Sequence, residues 1–385
     1  MRPLRTLSGR RLAMVLVAAV AIVIAAAVAA VAARSSTADT PPAKPLADAL
    51  HDALAAPQPE GVTARVTFTN NLLPSSSLFG NVGSPLMSGA SGRLWLTKDG
   101  HGRIELQSDS GDVQIVWSPT AVTVYDASSN TVYKLSLPAR SNDATQTNTP
   151  PTTAQVSDFL VQLAQHVDLS GASPRTVGGR PAYEASAAPK ETGSLLDSLR
   201  VAWDAEQGVP LSAGIYAKGD AAPALRLAVD SISYGPVSSS DVDIAPPADA
   251  KVVDLGTPSA GHDASRPKAV TGLAAAQAGA GFDVVAPDSV AGRARTQVLL
   301  LGDRVLLVYG EGPGSIVVVE RKADAAQSPG GMLGALPKVD VNGATGHELA
   351  TQLGTALAWE RDGVGFVLVG SVPAATAESA ARDVA

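Results

Sequence analysis

The strongest hydrophobic pattern lies at the N-terminus. Residues 12–33 form a run of 22 residues without a charged side chain, and Arg2, Arg5, Arg10 and Arg11 precede it. As a helix this run would be about 33 Å long, enough to cross a hydrocarbon core of about 30 Å. The arginines favour a cytoplasmic N-terminus, with the rest of the chain outside. We expect either a retained single-pass anchor in the cell membrane or a cleaved signal peptide, with small-residue sites at 30–32 and 36–38.

The hydrophobic period changes twice in the next part of the chain. A linker rich in Ser, Thr and Pro covers residues 35–45, and Leu46, Leu50 and Leu54 then follow at the i, i+4, i+8 spacing of a helix. From Val62 the period becomes two, which predicts a strand with one apolar face. Residues 70–91 are a Gly/Ser/Pro-rich loop that is unusually apolar, so it either packs on the sheet or covers something.

Short alternating segments then predict an antiparallel sheet. The predicted strands are residues 92–97, 103–107, 113–117, 122–125 and 132–137, followed after a polar linker (141–151) by 181–186, 199–204, 211–217 and 225–234. Between these groups, Thr152 and Gln155 have capping-box spacing. The helix that they begin carries an apolar stripe, which we expect to face the inner side of the sheet. The stripe comprises Val156, Phe159, Leu160, Leu163 and Val167.

The last third of the chain predicts a smaller α+β domain. Its predicted strands are residues 298–301, 305–309, 316–320 and 364–369, with a loop at 325–335 and a final short helix after Pro373. Leu349, Leu353 and Leu357 have helical spacing and predict a further helix. The glycine-rich residues 310–314 precede a β-branched run, so they predict a hairpin turn rather than a phosphate loop at a helix N-terminus.

These patterns divide the chain into five parts. We expect a cytoplasmic tail and membrane helix (1–34), a linker (35–45), a large domain (46–254), a second linker (255–269) and a small α+β domain (270–385). About 350 exported residues exceed one ordinary core, which favours two domains.

Composition and motifs exclude several kinds of function. The chain has no cysteine, so disulfides, thiolate zinc sites and lipoprotein acylation are excluded. Five of the 29 basic residues precede residue 35, which leaves 24 basic and 36 acidic residues in the exported part and disfavours nucleic-acid binding. The five histidines lack metal-ligand spacing, and no nucleophile elbow occurs. We therefore expect no metal, no cofactor and no enzymatic activity.

Several motifs of the large domain resemble those of one family. They are GRLWLTK at 92–98, RIEL at 103–106, AVTVYD at 121–126, VAWDAEQGVPL at 201–211 and VDIAPPADAKVV at 242–253. Together they resemble the LolA-like family of lipoprotein carriers, the regulators RseB and MucB, and mycobacterial lipid-binding lipoproteins. The resemblance implies a protein of high-GC bacteria. Asp99 stands where carriers have a proline. The resemblance implies an α+β fold, a curved antiparallel half-barrel sheet covered by helices.

The resemblance also implies an apolar cavity that holds lipid or lipoprotein acyl chains. Its candidate lining residues are Val66, Phe68, Leu94, Leu96, Ile104, Leu106, Ile115 and Val124 from the strands, with Phe159 and Leu163 from the helix. The leading hypothesis is a membrane-anchored carrier or chaperone, with an ABC transporter as a candidate partner. The alternative is an envelope-stress sensor that regulates an anti-sigma-type membrane partner, and a structural protein with a filled core is the third.

Overall fold

The structure is a computed structural model that describes residues 40–72, 85–137, 150–256, 270–323 and 336–384. The predicted membrane segment (12–33) and the predicted loop at 325–335 lie outside these ranges, as do residues 35–39 and 257–269 of the two predicted interdomain linkers, 73–84 of the predicted apolar loop and 141–149 of the polar linker. Within the described ranges, no helix is both long enough and apolar enough to cross a membrane.

The first part of the described chain forms one large sheet. Its strands are β1 (Gly61–Asn70), β2 (Ala90–Thr97), β3 (Gly102–Ser108), β4 (Gly111–Ser118), β5 (Ala121–Asp126), β6 (Thr131–Ser136), β7 (Val167–Leu169), β8 (Ser173–Val177), β9 (Arg180–Pro189), β10 (Leu196–Asp204), β11 (Pro210–Ala217), β12 (Pro223–Tyr234) and β13 (Lys251–Asp254). The order is β13-β6-β5-β4-β3-β2-β1-β12-β11-β10-β9-β7, with β8 paired to β9. The expected antiparallel meander is confirmed. The pattern missed β7 and β8, as well as β13, which pairs parallel to β6.

Four helices accompany this sheet: α1 (Leu46–Ala55), α2 (Pro85–Ser88), α3 (Thr153–Leu163) and α4 (Ser239–Val242). The pairing registers place one apolar row on a single side, which we call the inner face. It runs Ile232, Ala64, Leu94, Ile104, Ile115 and Val124 across six neighbouring strands. Alternating side chains therefore give the large curved sheet one continuous apolar surface.

Helix α1 covers the inner face at β9 and β10. Its Ala49 is buried in a cluster with Tyr183 and Trp203, and Leu46 and Leu50 pack against that cluster. The leucines of the stripe predicted for this helix thus pack towards the sheet, as their helical spacing implies.

Helix α3 begins at the predicted capping box, since Thr152 and Gln155 bond reciprocally. It packs mainly on α1, and the imidazole of His51 bonds to the carbonyl of Pro151 beside its start. Val156 is buried, whereas Phe159 is 61 % exposed. The expectation that the whole stripe faces the sheet is wrong, because α1 already occupies the inner face there.

The second part of the chain forms another sheet. Its strands are β14 (Val270–Thr271), β15 (Ser289–Val290), β16 (Arg293–Leu301), β17 (Arg304–Tyr309), β18 (Ile316–Lys322), β19 (Lys338–Val341), β20 (Ala344–Thr351), β21 (Gly354–Arg361) and β22 (Val364–Gly370). The order is β14-β16-β17-β18-β22-β21-β20-β19, with β15 paired to β16. Helices α5 (Leu273–Gly279) and α6 (Ala374–Val384) cover one face. The final helix and the hairpin at residues 310–314 were predicted correctly.

The predicted helix over Leu349, Leu353 and Leu357 is wrong. Leu349 lies on β20, Leu353 lies in a turn and Leu357 lies on β21. The Thr351 hydroxyl accepts bonds from the backbone amides of Leu353 and Gly354, which closes the chain into a hairpin. A leucine every fourth residue therefore arises here from two strands and a turn.

Candidate functional site

An apolar cavity lies on the inner face of the large sheet. It is lined by Val62, Ala64, Val66, Leu94, Leu96, Trp117, Val209, Pro210, Leu211, Ser212, Ala213, Leu227, Ala228, Val229 and Ile232. Among these lining residues Ser212 is the polar one, and its hydroxyl accepts a hydrogen bond from the Nε of Arg226 at 3.0 Å. The cavity volume is about 60 Å³, room for a few water molecules.

Strands β1, β2, β11 and β12 position most of the lining. A bulge in β12 opposite Arg65 and Val66 shifts the register of the β1–β12 pair. Val229 and Ile232, three residues apart, consequently both reach the cavity, although strict alternation would place them on opposite faces. The extra residue, Asp230, accepts a hydrogen bond from Thr67 at 2.8 Å.

A buried polar network fixes the turn between β10 and β11 beside the cavity. The fully buried carboxylate of Asp204 accepts bonds from Arg180 (2.8 Å), from the Tyr234 hydroxyl (2.7 Å) and from the backbone amides of Glu206 and Gln207. Burial and the neighbouring Asp204 raise the pKa of the Tyr234 phenol, so it stays a neutral donor.

The ring of Tyr234 links this network to the cavity wall. It packs against the cluster of Val62, Leu96 and Val209, and all three of these residues line the cavity. Tyr234 therefore joins the turn to the wall, and its hydroxyl is held by the buried network around Asp204.

The short helix α2 covers another part of the inner face. Leu86 packs against the cluster of Ala64, Val66, Ile104 and Leu106. Its carbonyl accepts a bond of 2.7 Å from the Asn70 side chain at the end of β1. Leu86 thus occupies apolar space next to the cavity.

The predicted site residues fall into three groups. Val66, Leu94 and Leu96 line the cavity. Phe68, Ile104, Leu106 and Ile115 belong to the adjoining cluster, and Val124 lies in the same inner-face row on β5. Phe159 and Leu163 on α3 are not among the lining residues. Their role in lipid binding, like that of the others, stays a prediction.

The sequence reasoning missed the lining contributed by Val209 and strands β11 and β12. Leu225, Leu227 and Val229 alternate in the sequence, so the apolar side of β12 was readable. The position of β12 beside β1 could not be predicted in this way, because the pairing joins residues about 165 positions apart.

The side chains that line the cavity favour apolar binding. Across the described ranges, no three His, Asp or Glu side chains come together in a way that could hold a metal ion. No charged side chain is among the described residues that line the cavity.

Comparison with known proteins gives similarity to solved structures alone. No family model matches the chain, and no curated protein sequence does. The MucA/MucB complex of Pseudomonas aeruginosa contains a chain that is 15 % identical, with 87 % of this chain and 95 % of that chain covered and a TM-score of 0.40. A putative outer membrane lipoprotein-sorting domain from Vibrio parahaemolyticus is 9 % identical, with 48 % and 89 % covered and a TM-score of 0.20. An uncharacterized conserved protein from Thermus thermophilus is 12 % identical, with 54 % and 96 % covered and a TM-score of 0.33.

Proposed function

We propose that this protein binds the acyl chains of lipids or lipoproteins on the inner face of its large sheet, outside the cytoplasm and tethered by residues 12–33. The observation that carries the proposal is the apolar cavity between β1, β2, β11 and β12. Such a site needs no catalytic group, because each buried methylene contributes about 0.8 kcal/mol. A carrier or chaperone of acylated molecules, not an enzyme, fits this chemistry best.

The cavity must expand to accept an acyl chain. About 60 Å³ holds a few water molecules but not an extended lipid tail. Leu86 packs against the cluster that includes Ala64 and Val66, two of the lining residues, so its displacement would extend the cavity along the inner face. The proposal therefore includes an outward movement of α2 when ligand binds.

A cavity-filling variant tests this proposal. Ala213 lines the cavity from β11 and is half-buried, so Ala213→Phe places a ring in the binding space. We expect acyl-chain binding to weaken at least tenfold, as measured by titration with a fluorescent fatty acid.

The matched control is Ala187→Phe, a half-buried alanine on β9 that does not line the cavity. Both variants add the same side chain to the same sheet. The proposal fails if wild type binds no acyl probe, or if both variants bind as tightly as wild type.

The alternative is a sensor that binds and regulates an anti-sigma-type membrane partner. The small volume of the cavity favours this alternative, since about 60 Å³ does not hold an acyl chain without rearrangement. Co-purification of a stoichiometric membrane protein, with no bound lipid, would support the sensor and not the carrier.

A further inference from the structure

The second sheet has one face that its own helices do not cover. We call the side opposite α5 and α6 the outer face; the exposed fraction is 38 % for Val367 and 50 % for Val369 at its centre. Half-buried aliphatic side chains surround these two valines on the neighbouring strands. They are Leu306, Val308, Val317, Val319, Ala356 and Ala358.

Both faces of the central strands are therefore apolar. On β18, Ile316 and Val318 are fully buried under the helices, while Val317 and Val319 lie on the outer face. Nearly continuous aliphatic strands are typical of sheets that are covered on both sides. Sheets that pack face to face keep their strands within about 30° of each other.

We propose that a second copy of this chain covers the outer face, so that two such sheets pack face to face about a two-fold axis. The axis lies between the two packed sheets, parallel to the strands, and passes over the boundary between β18 and β22. This symmetry brings β21 of one copy over β17 of the other, and β22 over β18. An interface of this kind is isologous, with the same surface used on both copies.

The side chains are self-complementary in size under this symmetry. Ala358 and Ala356 on β21 meet Leu306 and Val308 on β17 of the other copy, because each alanine shares a row with its counterpart. Small residues facing large ones allow the two sheets to interdigitate.

The charges are complementary as well. One row at the edge of the outer face runs Glu360, Gly365, Arg321 and Arg304. The two-fold axis places the exposed Glu360 of one copy over Arg304 of the other. Within its own chain, Arg304 reaches Asp303 at 3.8 Å, and its side chain is 59 % exposed. Opposite charges facing each other favour this register over alternatives.

The interface is small. Three rows across the four strands β17, β18, β22 and β21 cover roughly 400 Å² per copy, about half of the about 800 Å² of a standard specific interface. We therefore expect a dimer that dissociates on dilution. The test should trap this dimer with a covalent crosslink rather than measure the size of the free complex.

Crosslinking through single cysteines tests the proposal in the full-length chain, which has no cysteine of its own. Val369→Cys lies near the axis, and Val252→Cys is a matched control because Val252 is also a strand valine, 55 % exposed, on the large sheet. With a short bis-maleimide, in mild detergent at several protein concentrations, we expect Val369→Cys to give a species of twice the mass. Its yield should exceed that of Val252→Cys at least fivefold.

Charge reversal then identifies the register. Adding Glu360→Arg to Val369→Cys should reduce the crosslinked yield several-fold, and adding Arg304→Glu to that variant should restore it. The proposal is overturned if Val369→Cys and Val252→Cys crosslink equally. It is also overturned if the paired reversal fails to restore the yield, or if the product has a mass other than that of two copies. None of these results bears on acyl-chain binding.

Discussion

The two sheets of this molecule bury their apolar faces differently. In the second sheet, α5 and α6 cover one face, and the buried side chains of the described residues form a single continuous core. In the large sheet, the buried side chains form three smaller clusters, and the cavity adjoins two of them. The second sheet fills its helix-covered side with its own residues, whereas the large sheet leaves space.

The share of each sheet that the helices cover explains this difference. Alanines of α5 and α6, including Ala276, Ala377 and Ala380, lie flat on the second sheet and are fully buried. In the large sheet, α1 covers β9 and β10, and α2 has only four residues. These helices cover too little of the long curved sheet to close its inner face, and that is where a ligand can bind.

The largest expected effect is a truncation in the continuous core. Leu307→Ala removes a fully buried side chain from β17, and we expect it to lower the free energy of unfolding of the second sheet by about 2–5 kcal/mol. Leu227→Ala, at the half-buried cavity wall, should cost about 1 kcal/mol because part of the space beside it is already empty. Hydrogen exchange of the two sheets measures both values, and equal losses would contradict the contrast.

The second effect depends on pH. Burial raises the pKa of Glu320 on β18 to about 7, and its carboxylate accepts one bond, from the Val285 amide at 3.1 Å. Because the carboxyl of Glu320 ionises first in the unfolded state, its contribution to the free energy of unfolding is highest below about pH 4.5. The contribution falls as the pH rises towards 7 and then levels off, a loss of about 3 kcal/mol.

Glu320→Gln should abolish this fall, as calorimetry at a series of pH values would detect. The uncharged amide keeps an acceptor for Val285, so any constant offset reflects the amide and not titration. A variant that retains the full wild-type slope would show that Glu320 is not the titrating group.

The smallest effect concerns the wall of the cavity. Tyr234→Phe removes one of the bonds to buried Asp204 and leaves those of Arg180 and two backbone amides, so we expect a loss of about 1–2 kcal/mol. Exchange should rise in the turn at residues 205–208, next to the cavity. Tyr133→Phe, at an exposed position, is the control and should leave stability within about 0.5 kcal/mol of wild type.

The local sequence patterns predicted the strands of the large sheet better than they predicted which strands lie side by side. Alternation identified β1 to β6 and β9 to β12. Leu94, Ile104 and Ile115, each a candidate lining residue on a predicted strand, lie in one row in the structure. The pairing of β1 with β12 and the bulge opposite Arg65 depend on contacts distant in sequence, and short-range periodicity carries no information about them.

The sequence patterns located a helix along the chain more reliably than they predicted which side of the helix is buried. The capping box of Thr152 correctly marked the start of α3, but Phe159 is exposed because α1 lies against the sheet first. In the second sheet, Leu349 and Leu357 matched a helical spacing although each belongs to a strand. The β-branched residues that would have signalled strands are few in that segment, so spacing alone was ambiguous.

Native mass spectrometry tests the central claim most directly. The chain and its Ala213→Phe variant would each be purified from a bacterial membrane fraction in mild detergent. Each would then be released from the detergent in the mass spectrometer under conditions that preserve apolar complexes. The account predicts an additional mass on wild type that extracts into organic solvent as a lipid, strongly reduced in Ala213→Phe. A wild-type chain that carries no lipid, and takes up none when membrane lipids are added, would contradict it.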